Sequence, residues 1–324
     1  MNTSEKQGKR PTLNAQHPMS NSGALSDFDI GRWTFGVRRF LLSVDIKPQT
    51  SEIKHSAMFL LQSKDVPENA DELARSIEES LRQYVRGSQP LVSVRPRVFP
   101  YYDEVRINLD KAEFDSKPPQ IPAAVGDVKY AFEAGVVAVT ARNVRVQGVP
   151  LDLRLEAQRV TFDKGKDANG QALLIVKTVR EGHLRISAAQ LDLENAIGEI
   201  ASREARKHWI NIDQVRLALR ARGARSLSAD LRFQARKLLL RTNIDISLQI
   251  DVDENFVAKI SNVKCKGDGA IGSLACGALE PHLRRLDGQT FSLMSLPLGE
   301  LQLRDVRIAV ADTVEVTADF GMPE

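Results

Sequence analysis

From position 241 to 252 the chain reads RTNIDISLQIDV, and Ile244, Ile246, Leu248, Ile250 and Val252 alternate strictly with Asn243, Asp245, Ser247, Gln249 and Asp251. A period of two held over that length puts the aliphatic side chains on one face and the polar ones on the other. It predicts a long antiparallel strand with one side buried and one wet. Companion strands are predicted at 212–221, 227–235 and 256–264. Only a few residues join each to the next, so neighbours must run antiparallel, because a parallel crossover takes a dozen residues or more. Two strands close the chain, 299–310 and 313–320, and the parity change between Leu303 and Val306 predicts a bulge.

Earlier strands are predicted at 33–46, 56–62, 128–147, 151–162 and 173–186. A strand-like stretch at 91–109 is interrupted by Pro96 and Pro100, which marks an edge. Three helices have the complementary period of three and four. The first runs between Pro67 and Gly87 on Ala70, Leu73, Ala74, Ile77, Leu81, Tyr84 and Val85. The second is read from a capping box, Ser187 with Gln190, and an apolar stripe of Leu193, Ile197, Ile200, Ala201, Ala205 and Trp209. Over 188–209 it would be on the order of 33 Å long. The third, from Asp268 or Gly269 to Leu286, carries Ile271, Leu274, Ala275, Ala278, Leu279, Leu283 and Leu286, with a kink expected at Pro281.

Strands, a long helix, a meander, a helix and a hairpin predict an α+β fold. Its simplest form is a roll, a long, strongly twisted antiparallel sheet wrapped around one or two long amphipathic helices. Residues 1–30 are polar and rich in Ser, Asn, Pro and Gly, and read as a flexible tail. An amino-terminal α+β region follows at 31–115, a linker at 116–127 (SKPPQIPAAVGD), and the roll at 128–324.

Composition changes this picture little: 324 residues, 42 % hydrophobic and 27 % charged, describe an ordinary globular chain. No stretch of signal-peptide type and no run of eighteen apolar residues occurs, so a cytoplasmic protein, with peripheral membrane contact at most, is expected. The net charge of +3 is unevenly spread, since eleven Lys or Arg against three acids fall between Arg203 and Arg241. Arg216, Arg220, Arg232 and Arg236 take the outward phase of their strands and are candidate contacts for anionic headgroups. Aromatic residues are almost absent there, which removes the stacking platform that single-stranded nucleic acid needs. A solvated face balanced by acids elsewhere is the plainer reading of the same stretch.

The segments GHLRISAAQLDLENAIGEI (182–200) and FSLMSLPLGELQLRDVRIAVADTVEVTADFG (291–321) resemble the LmeA-like bacterial phospholipid-binding proteins of the tubular lipid-binding (TULIP-like) fold, over roughly residues 128–321. The resemblance rests on the turn into the helix, the Leu-Pro-hydrophobic-Gly stretch at Leu296–Gly299 and the Val-rich final hairpin. It implies a curved sheet around long helices and acyl chains bound along an apolar tunnel. Exported members carry a signal or lipoprotein segment, which this chain lacks. Small helix residues, Gly198, Gly272, Ala275, Gly277 and Ala278, would leave room for such a chain, or would simply let helix and sheet pack closely with no cavity.

Few residues suggest chemistry. Gly267-Asp268-Gly269-Ala270-Ile271-Gly272 matches the G-x-G-x-x-G dinucleotide pattern, but the preceding strand belongs to an antiparallel meander and no βαβ unit fits, so a helix cap with close packing is expected instead. The five histidines, His17, His55, His183, His208 and His282, show no metal-ligand or general-base spacing, and no serine lies in a nucleophile elbow. Cys265 and Cys276 are the only cysteines. They are expected to be a reduced, half-buried pair, although a bridge between them is geometrically open.

The expectation is therefore a non-enzymatic protein without cofactor or metal that binds phospholipid or another hydrophobic ligand between long helix and concave sheet. Leu193, Ile197, Ile200, Ile244, Ile246, Leu248, Ile250, Ile271, Leu274, Leu279 and Leu283 would line the site. The alternative is a structural or interaction module with a filled core and a basic docking face, and a nucleotide-dependent enzyme using the Gly267 loop stands third. Nucleic acid is not an expected partner, and nothing in the pattern sets an oligomeric state.

Overall fold

A computed structural model describes residues 58–87, 90–114, 124–146, 149–206, 211–237, 240–293 and 302–322. The strand predicted at 33–46, most of the 116–127 linker, His208, Trp209 and the Leu296–Gly299 stretch lie outside the described residues.

The chain is α+β and dominated by strands, arranged in two sheets. The larger is ten-stranded. Its main path runs β14 (Gln302–Val310), β15 (Thr313–Gly321), β8 (Ala172–Ala189), β7 (Val149–Lys166), β6 (Val125–Val146), β4 (Tyr101–Asn108) and β3 (Val92–Pro96). Short strands β1 (Met58–Leu60), β2 (Val85–Arg86) and β5 (Glu113–Phe114) join at its margins. The smaller is five-stranded, in the order β13 (Thr290–Ser292), β12 (Val257–Gly267), β11 (Leu240–Val252), β10 (Ser226–Lys237) and β9 (Asn211–Gly223). The predicted meander is thus one sheet with every neighbour antiparallel. The larger sheet departs from the prediction, because β4 pairs parallel with β6 and makes it mixed. Through that pairing, and through β1 on β8, strands of residues 58–114 share the larger sheet with β6, β7, β8, β14 and β15.

Helix α1 (Ala70–Leu81) is shorter than its periodicity suggested. Asn69 caps it, its side-chain oxygen accepting from the backbone N–H groups of Asp71 and Glu72, and after Leu81 the chain turns into β2. Leu73 and Ile77 of α1 join Leu61, Val85, Leu91, Tyr102, Phe132 and Phe162 in the main core, on one face of the larger sheet. Tyr102 meets Phe132 edge-on at 5.1 Å, and Phe132 lies 4.8 Å from Phe162.

Helix α2 (Gln190–Arg206) corrects the expected capping box. Ser187 and Ala188 remain in β8, where Ser187 pairs with both Asp152 and Glu315, so two flanking strands hold the backbone extended and the helix starts at Gln190. Helix α3 (Gly269–Leu286) has the predicted bounds and runs through Pro281. Neither helix is enclosed by a rolled sheet. The side-chain oxygens of Glu194 and Gln190 accept from the N–H groups of Leu217 (2.7 Å) and Leu219 (3.4 Å), and Gln190 donates to the Leu217 carbonyl (2.8 Å). Helix α2 therefore covers the outer edge of β9, satisfying backbone groups that an edge strand would otherwise offer to another chain. Helix α3 lies on β12 and leans toward β11.

The sheets meet where β14 approaches the β9–β10 turn. The Ile308 N–H donates to the Ala224 carbonyl at 2.7 Å. Arg225 reaches Asp305 at 2.7 Å and the Val306 carbonyl at 3.2 Å, with its guanidinium 5.3 Å from the centre of the Phe256 ring. The expected bulge in β14 falls between Leu303 and Asp305.

Candidate functional site

Register fixes which side chains share a face of the smaller sheet. Leu217, Leu231, Ile246 and Cys265 form one cross-strand row, Val215, Phe233, Ile244 and Gly267 a second, and Ala221, Leu227, Ile250 and Ile260 a third. This is the apolar face, and both helices lie on its side. Cys265 is disulfide-bonded to Cys276 of α3, with Cα atoms 5.6 Å apart. A side chain added at Gly198 of α2 would touch Val215 at 3.4 Å.

Covering is uneven across that face. Leu217 on the edge strand β9 is 7 % exposed, and Phe233, Ala235 and Val252 on the central strands β10 and β11 are 8 %, 5 % and 9 % exposed. Leu227 and Leu231 on β10, and Ile244, Ile246, Leu248 and Ile250 on β11, are only half-buried. Val215 on β9 and Ile260 on β12 are half-buried as well, so the apolar face is incompletely covered across its strands, and we read the strip between α2 and α3, floored by β10 and β11, as an apolar trough.

The eleven sequence-predicted lining residues divide accordingly. Ile244, Ile246, Leu248 and Ile250 come together on the floor. Leu193, Ile197 and Ile200 are half-buried on α2, Leu279 is half-buried on α3, and Leu283 is 7 % exposed and part of its packing. Ile271 and Leu274 are 42 % and 62 % exposed on α3, and Leu191 of α2, which the stripe omitted, is 63 % exposed.

The four predicted headgroup arginines all have carboxylate partners. Arg216 lies 3.6 Å from Glu194, Arg220 2.8 Å from Asp230, Arg232 2.5 Å from Asp245 and Arg236 3.4 Å from Asp213. The hydrogen bond to Asp245 raises the pKa of the Arg232 guanidinium. On the same polar face Asp251 is held below the usual carboxylate range: burial pushes it up, and hydrogen bonds from Ser226, Gln249 and Ser261 outweigh that push. These four arginines are therefore paired, two of them with carboxylates from outside the basic stretch, Glu194 and Asp245.

The Gly267 loop is a packing device. A side chain at Gly267 would fall 2.1 Å from the Gly272 backbone, one at Gly272 would fall 2.6 Å from Gly267, and Gly269 has φ +66°. The Asp268 carboxylate accepts from Asn243 at 2.9 Å, so a negative charge already stands at the start of α3, and the strand before it is antiparallel to its neighbour.

The cysteines correct the sequence reading, which expected a reduced pair. Cys265 points to the trough side of β12 and Cys276 to the sheet side of α3, a pairing across elements that spacing along the chain does not reveal. Sequence reading also missed a charged cleft of about 640 Å³ on the polar face of the larger sheet. Arg154, Arg185, Arg304 and Arg307 border it, and His183 Nδ1 lies 2.6 Å from Asp319. Alternation along β7, β8 and β15 is the signal that would have placed these residues on one face.

Among the described residues no helix is long and apolar enough to cross a membrane, and no group of three or more His, Cys, Asp or Glu could hold a metal ion. No protein-family profile matches the chain, and neither a curated protein nor a solved structure matches it.

Proposed function

We propose that this protein binds a lipid acyl chain, or a ligand with an equivalent aliphatic chain, along the trough floored by β10 and β11. The observation that carries the reading is the partial exposure of Leu227, Leu231, Ile244, Ile246, Leu248 and Ile250, an aliphatic face that the protein's own helices do not fully cover. Each methylene moved from water onto this floor contributes about 0.8 kcal/mol, so a chain of ordinary length supplies useful affinity without catalysis. The resemblance to LmeA-like phospholipid-binding proteins points to the same ligand class, with an open trough in place of the tunnel. The alternative of a basic docking face is not favoured, since its four arginines are paired with Glu194, Asp230, Asp245 and Asp213.

Native mass spectrometry of the protein purified from cells, followed by organic extraction, tests the reading. The expected result is co-purifying lipid that is lost in Leu248→Glu, a substitution a half-exposed site tolerates. A ligand-free mass for the wild-type chain, together with no uptake of a fluorescent phospholipid from vesicles, overturns it.

A further inference from the structure

Helix α3 is poorly made for standing alone. It contains Gly269, Gly272, Gly277 and Pro281, each of which weakens a helix, and Pro281 removes one internal hydrogen bond. Its N-cap residue, Asp268, makes no side-chain cap, and its carboxylate accepts from Asn243 instead. Its attachment to the sheet is concentrated at three places. At the start, Asp268 N–H donates to the Asn243 carbonyl at 3.0 Å and the Thr242 hydroxyl donates to the Asp268 carbonyl at 3.1 Å. At the end, the Val263 N–H donates to the Asp287 carboxylate at 3.2 Å and the Gly288 N–H to the Ile260 carbonyl at 2.8 Å. Between them stand Leu283, which is buried, half-buried Ala275 and Leu279, and the Cys265–Cys276 bond, while Ile271 and Leu274 contribute little burial.

We propose that the Cys265–Cys276 disulfide is a redox-operated lock on α3, and that its reduction frees the helix between its two tethered ends while both sheets stay folded. As a bank of the trough, the freed helix changes access to the floor; that consequence rests on the lipid-binding reading, whereas the lock itself does not. Cys265 and Cys276 are both half-buried, not buried, residues, and the reductant the lock requires is a small dithiol. A thiolate of the dithiol attacks one sulfur and the S–S bond breaks. The departing Cys thiolate takes a proton, and the second thiol of the reductant displaces the other Cys and closes its own disulfide. Two electrons and two protons pass to the protein, and the dithiol is oxidised. The bond closes a loop between residues only 11 apart, so its loss relaxes α3 locally instead of releasing a long segment of chain.

Hydrogen–deuterium exchange of the full chain, before and after treatment with dithiothreitol, reads the lock directly, with the 2 Da mass gain of the reduced chain confirming reduction. The expected result is faster exchange of the α3 amides, on the order of 10–100-fold, with β6–β8 and β9–β11 unchanged. Cys265→Ser with Cys276→Ser should reproduce the reduced pattern without reductant and be insensitive to it. Unchanged α3 exchange in the verified reduced chain overturns the proposal, and so does global unfolding, which would make the bond a general staple. Transfer of a fluorescent phospholipid, measured on the same samples, separates the two readings. Accelerated α3 exchange with no lipid binding in either redox state leaves the lock standing and removes the trough's ligand.

Discussion

Asp305 ties β14 to the β9–β10 turn through Arg225, which bonds its carboxylate at 2.7 Å. Hydrogen bonds from Arg225 and then Arg307 hold its carboxyl below the ordinary carboxylate range, against the opposing effect of burial. Because its folded pKa is depressed, its contribution to stability is present above the unfolded value of about 3.9 and is lost as pH falls through the lowered folded value. Urea midpoints between pH 6 and pH 2 should therefore show wild type losing its advantage over Asp305→Asn as the medium becomes acid. A gap between the two that does not change with pH would show that the carboxylate's charge contributes nothing at the seam. Gly272 makes a second prediction at this scale. A methyl there meets backbone at Gly267 and the Thr242 hydroxyl at 2.6 Å, so Gly272→Ala should cost about 1–3 kcal/mol in denaturant unfolding. The same substitution at Gly277, where open space surrounds the added carbon, should be neutral or stabilising.

At the scale of elements, α2 is an edge guard more than a core helix. Removing both Gln190 and Glu194 side chains leaves the Leu217 and Leu219 amides without protein partners. The loss should be about 1 kcal/mol for each well-made bond, with faster deuterium exchange confined to β9 and concentration-dependent self-association through the bared edge. Size-exclusion chromatography across a concentration series measures the second effect. This element also shows where sequence reasoning stops. Period-two alternation located all four meander strands and the floor residues Ile244 to Ile250, and the parity change at Leu303 located the bulge, because each is recorded in consecutive side chains. The start of α2 was misread because Ser187 obeys its pairing with β7 and β15, which are distant in sequence, over its local capping preference. The parallel pairing of β4 with β6 and the bond between Cys265 and Cys276 were hidden for the same reason.

At the scale of the whole molecule, the fold places the main packed core on the larger sheet and a less fully covered apolar face on the smaller one. Phe132, Phe162, Leu61 and Leu73 anchor the larger sheet, while the aliphatic side chains of β10 and β11 in the smaller sheet are mostly only partly buried. That division makes the floor tolerant of change: Ile246→Ala should lower stability by less than the 2–5 kcal/mol of a buried Ile→Ala substitution, while Phe132→Ala should cost roughly 3–5 kcal/mol. Thermal or denaturant unfolding of the two variants measures the contrast. The central claim is that the β10–β11 face takes an aliphatic chain. Photolabelling with a diazirine-bearing fatty acid, followed by peptide mapping, tests it most directly. Labels concentrated on β10, β11 and α3, and competed away by unlabelled phospholipid, are the expected result; no specific label, or label confined to the larger sheet, would contradict it.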